Sequence, residues 1–96
     1  MKESQAITHN LLLEVDLLSN RLRNIKQSFK TTDNRALKER LFSENKNIFK
    51  RVSEIYKIAE VLNKKNKEEF NFTKLLVETT KRTLIENKFE TNLFFL

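Results

Sequence analysis

The sequence predicts an all-α fold: a long antiparallel helical hairpin with a third helix packed across it, forming a small helical bundle. Three observations carry this prediction. The 96 residues contain no glycine and no proline. The positive-φ turns of β-hairpins, phosphate-cradling loops and nucleophile elbows therefore lack the residue they lean on, and nothing breaks a helix. Apolar residues recur at alternating three- and four-residue steps, the period of one helix face. Finally, a polar run ending in Thr32-Asp33-Asn34 separates two such patterns by so short a link that the helices are expected to pack antiparallel. The expected organisation is one domain over residues 1–96, with helices at about 3–30, 34–63 and 67–90 and an apolar tail at 91–96.

The first helix, from about Glu3 to Phe29 or Lys30, has a seam at Leu11, Val15, Leu18, Leu22, Ile25 and Phe29, and at about 1.5 Å per residue makes a rod of about 40 Å. Ile7 and Leu12 flank that seam. Leu13 and Leu17 do not fit it, because they fall one turn apart on the solvent side. They are either scattered surface leucines or, with Ala6 extending them, a second contact face for a partner chain. Lys26 and Lys30 suit the negative end of the helix dipole, and Thr32 or Asp33 is the expected N-cap of the next helix.

The second helix, centred on residues 37–62, carries the broadest apolar face in the chain. Leu41, Ile48, Ile55 and Leu62 recur at seven-residue steps, with Asn45, Val52 and Ala59 four residues after the first three. Phe42, Phe49 and Tyr56 run beside this line, and Leu37 and Ile58 widen the other side. One neighbour cannot cover such a face, so the helix belongs between two others or at a subunit interface. Asn45 on the seam reads as a partly exposed helix end rather than a buried polar group that sets register.

Asn63-Lys64-Lys65-Asn66-Lys67-Glu68-Glu69 interrupts the pattern and reads as a break with Asn63 and Asn66 as caps, although i,i+4 ion pairs would also permit one continuous helix. In the third segment Phe70, Val77 and Leu84 share one line. The complementary positions Thr73, Thr80 and Asn87 are expected to bury poorly, which makes this the least stable helix. The apolar end, with Leu93, Phe94, Phe95 and Leu96, reads as a tail folded over Phe42 or Phe49, or else as a hydrophobic hook for another protein.

Composition limits the function classes. Hydrophobic residues make up 39% and charged residues 33%, too apolar for a disordered tail and too polar for a membrane-inserted protein. No apolar run approaches the roughly 20 residues that span a bilayer, and no signal-peptide layout opens the chain, so a cytoplasmic protein is expected. The net charge of +6 is spread evenly, with five basic and three acidic residues in 1–31 and seven and five in each of 32–62 and 63–96. Polyanion binding calls for clustering, so the groups Arg21, Arg23, Lys26 and Lys46, Lys50, Arg51 read as solvated helix faces and nucleic acid is disfavoured. The chain has one histidine, His9, and no cysteine. No nucleophile–base pair, Glu-x-x-His di-iron motif, zinc set or pair of facing carboxylates can be assembled, so no enzyme, cofactor or metal is expected.

Three successive amphipathic helices of this length resemble the N-terminal three-helix regulatory domain of syntaxin-type SNARE proteins. Asp33, Leu37-Lys38, Leu41, Lys74-Leu75-Leu76-Val77-Glu78 and Leu84 are similar to positions in that family's second and third helices. The hairpin also resembles flagellar and secretion-system chaperones that wrap partner helices. Both resemblances imply binding rather than catalysis, and neither family is assigned. The expected function is non-enzymatic protein–protein interaction, by self-association as a homo-oligomer or by clasping a helical partner. The candidate interface residues are Leu13, Leu17, Phe42, Phe49, Tyr56, Phe94 and Phe95. The competing expectations are a small basic nucleic-acid-associated protein and a syntaxin-like regulatory bundle.

Overall fold

The computed structural model describes residues 2–65 and 72–87, with side chains from residue 6 onward. It is an all-α bundle of three helices: α1 (Lys2–Thr31), α2 (Arg35–Lys65) and α3 (Phe72–Glu86). Thirty or so residues at 1.5 Å each make α1 and α2 rods of about 45 Å, which accounts for the longest dimension of 49 Å. None of the helices among the described residues is long and apolar enough to cross a membrane.

Residues 32–34 join α1 to α2. The Thr31 hydroxyl folds back onto the Gln27 and Ser28 carbonyls at 3.1 and 3.3 Å, closing α1. The N-cap of α2 is Asn34, not the expected Thr32 or Asp33. Its Oδ1 accepts from the Leu37 N–H at 3.0 Å, and its carbonyl accepts from the Lys38 N–H at 2.9 Å. Thr32 acts one step earlier, its Oγ1 accepting from the Asn34 N–H at 3.2 Å. Asn34 stands immediately before the first helical residue, Arg35, so its side chain reaches the third amide of the helix, that of Leu37. Lys38 places its ammonium 5.3 Å from the centre of the Phe29 ring, tying the two sides of the turn together.

The core follows the seams read from the sequence. Val15, Leu22 and Ile25 of α1 and Val52, Ile55 and Ala59 of α2 are fully buried, each larger side chain contributing about 1.5–3 kcal/mol over its exposed state. α2 packs against both other helices, as its broad face requires. At the open end of the hairpin, Val15, Ile55 and Ala59 meet Leu76 of α3, with Leu11, Leu12, Leu18 and Val77 packed around them. At the turn end, Ile25, Phe29 and Leu41 form a second cluster with Leu37 and Ile48.

Two expectations about polar seam residues are corrected. Asn45 is 5% exposed and belongs to the core, not to a solvated helix end. Thr73, Thr80 and Asn87 are buried together with Leu76 and Thr83, so α3 turns its threonine seam inward and leaves Val77 and Leu84 half-buried beside it. The reason is visible in the hydrogen bonds. Thr80 Oγ1 donates to the Leu76 and Val77 carbonyls at 2.8 and 2.9 Å, Thr83 Oγ1 to the Thr79 carbonyl at 2.9 Å, and Asn87 Nδ2 to the Thr83 carbonyl at 3.1 Å. A threonine whose hydroxyl is folded onto its own helix presents a methyl group to its neighbours. Among the described residues every buried side-chain polar atom has a partner.

The expected interruption at 63–70 is only partly visible. Asn63 is not a C-cap, since α2 continues through Lys65; its Oδ1 instead accepts from Thr73 Oγ1 at 3.4 Å, across to α3. Residues 66–71, Phe70 among them, and 88–96 lie outside the described residues.

Candidate functional site

The heptad positions that flank the α1 and α2 seams meet along one side of the hairpin. Arg51 pairs with Glu14, and Arg21 with Glu44, through bidentate hydrogen bonds of 2.5–2.9 Å. As the α1 number rises by seven, the α2 number falls by seven. In both ion pairs hydrogen bonding to the guanidinium holds the Glu14 and Glu44 carboxyls below their ordinary range, opposed by desolvation, and raises the arginines. This side of α1 is therefore occupied by α2.

Beyond Glu14 and Arg21 the outer face of α1 turns to solvent, and its composition is unusual. Leu13 is 52% and Leu17 71% exposed. In phase with them, at the same alternating three- and four-residue steps, stand Asn10, Asn20, Asn24 and Gln27, all exposed. Ala6 continues the line toward the N-terminus. No residue of this stripe is charged. The corresponding outward stripe of α2 runs Arg40, Ser43, Asn47, Lys50, Glu54 and Lys57, as expected of a solvated helix face in a charge-rich chain. The α1 stripe instead has the layout of a second seam, apolar at its centre and amide-lined toward both ends. A search for apolar residues alone finds Leu13, Leu17 and Ala6. The asparagines become part of the pattern only when the positions without charge are counted as well.

Of the other sequence-predicted interface residues, Phe42, Phe49 and Tyr56 are half-buried on the flank of α2. Their line is partly covered within the bundle rather than presented whole. The Glu60 carboxylate one turn on holds the Tyr56 phenol above its ordinary range. Phe94 and Phe95 lie outside the described residues. The structure does not gather the candidates into one surface: Leu13 and Leu17 stand on the outer face of α1, while the aromatic line runs along α2.

His9 is exposed on α1, away from the core. Among the described residues no three His, Cys, Asp or Glu side chains group as a metal site. Lys46, Lys50, Lys57 and Lys64 are exposed on α2 with Glu54 and Glu60 interleaved. Compared with models of known families, with curated proteins and with solved structures, the chain shows no match.

Proposed function

We propose that this protein is a non-enzymatic protein–protein interaction module, and that its contact surface is the outer face of α1 centred on Leu13 and Leu17. One observation carries the reading: two large aliphatic side chains stand in water within a stripe of α1, from residue 6 to residue 27, that carries no charge. Solvated helix faces in a chain that is 33% charged are normally lined with charged side chains. An uncharged stripe with leucines at its centre loses little by desolvation and gains by covering the leucines, which favours a helix laid along it. The aromatic line of α2 is the weaker candidate, since the bundle already half-covers it.

The test is the molar mass in solution by light scattering, across concentration and at low and high salt, for the natural chain and for Leu13→Lys/Leu17→Lys. Association that persists at high salt and disappears in the double variant, with helix content unchanged by circular dichroism, supports the reading. Association that survives the double variant overturns it. The nucleic-acid alternative makes a different prediction, a steep loss of duplex binding with rising salt. Its lysine row on α2 is interrupted by carboxylates, which weakens the field a phosphate backbone would meet.

A further inference from the structure

Building on the contact face proposed above, we infer that its occupant is the same face of a second copy of this chain, laid parallel and in register about a two-fold axis. In such a pairing each stripe residue meets its own counterpart. Leu13 packs on Leu13 and Leu17 on Leu17, while Asn10 and Asn24 each meet an identical amide that can both donate and accept; the Asn20 Oδ1 already accepts from Arg23 Nη2. Asparagine at alternate seam positions, here Asn10 and Asn24 on either side of Leu17, favours two parallel strands and fixes their register, at a cost in affinity.

Charge separates this arrangement from its alternative. The residues bordering the stripe are His9, Asp16 and Arg23 on one side and Glu14 and Arg21 on the other. In a parallel pair a residue on the first border faces the residue five positions later on the second border of the other copy. Asp16 then faces Arg21, twice over by symmetry. Asp16 is exposed and has no ion pair among the described residues, whereas Arg21 keeps part of its guanidinium in water beside Glu44. An antiparallel pair that stacks Leu13 on Leu17 puts its two-fold axis level with Val15. That brings Asp16 against Asp16, or Glu14 against Glu14, at the centre of the contact. Two leucines per copy make the association weak and concentration-dependent.

Because the chain has no cysteine, a single introduced thiol reports the arrangement. Asn24→Cys sits in the stripe without touching the core, and Lys46→Cys on the outer face of α2 is the control for random collision. In the full-length chain the expected result is that Asn24→Cys oxidises to a disulfide-linked dimer about tenfold faster than the control, from the raised local concentration of the paired thiols. Adding Leu13→Lys/Leu17→Lys should return it to the control rate, and Asp16→Arg should weaken the dimer of the natural chain by about tenfold. If mass doubles in a Leu13/Leu17-dependent way but Asn24→Cys oxidises no faster than the control, the parallel register is overturned while the contact face stands. If the mass doubles regardless of the leucine variant, the face itself is wrong. A chain that stays monomeric, with both thiols at the control rate, overturns the second copy as occupant.

Discussion

Arg51 reaches across the hairpin to Glu14 with two hydrogen bonds, Nε to Oε2 at 2.6 Å and Nη2 to Oε1 at 2.9 Å. One heptad away the same contact recurs with its polarity reversed, Arg21 on α1 and Glu44 on α2. This reversal guards the register. Sliding α2 by one heptad in one direction sets Glu14 opposite Glu44, and in the other direction sets Arg21 opposite Arg51. The apolar seams alone would tolerate such a slip, since they repeat every seven residues; the two ion pairs do not.

A charge-exchange cycle tests that role. Glu14→Arg and Arg51→Glu should each lower stability by about 1 kcal/mol, and the double exchange should recover most of it, a coupling of about 0.5–1 kcal/mol for pairs this accessible to water. Urea unfolding of the four proteins measures the coupling. A double variant no better than the sum of the singles would remove the ion pair from the account of register.

Acid should weaken the same pairs. The native Glu14 and Glu44 carboxyls titrate below the ordinary value of 4.5. Their contribution is therefore complete above that value and is lost as pH falls through the lowered native values. The stability difference between the natural chain and Glu14→Gln/Glu44→Gln should be constant near neutrality and shrink toward zero as pH drops below about 4.5. Thermal midpoints of both proteins across about pH 2–7 would show it; a difference that persists at the acid end would mean the glutamines cost stability for another reason.

Threonine on the α3 seam makes a directional prediction. The Thr80 hydroxyl bonds only to its own helix, and the carbonyls it caps are already helix acceptors. Thr80→Val should hold or raise stability by about 0.5–1 kcal/mol. Leu76→Ala, which empties a fully buried site shared with Val15, Ile55 and Ala59, should cost about 2–4 kcal/mol. Equilibrium unfolding distinguishes them by sign.

The turn provides a local check. Asn34→Ala removes the side chain that accepts from the Leu37 amide and should cost about 1 kcal/mol, whereas Asp33→Ala should cost little. Hydrogen exchange at the start of α2 should accelerate in the first variant alone.

Two long helices, their antiparallel packing and their buried faces followed from the chain's own pattern. A seam such as Leu11–Phe29 or Leu41–Leu62 is local chemistry: residues three and four apart must share a side, whatever they pack against. The exposed pair Leu13 and Leu17 was legible for the same reason, because its phase put it opposite a complete seam. What only the tertiary structure decided was the fate of polar side chains. Asn45, Thr73, Thr80 and Asn87 lie at positions whose burial depends on a neighbouring helix and on where each hydroxyl or amide finds its partner. A threonine is polar in a list of residues and apolar in a core once its hydroxyl turns back on the helix. Which glutamate meets which arginine was likewise settled when two helices came side by side, since those bonds join atoms 23 and 37 residues apart in the chain.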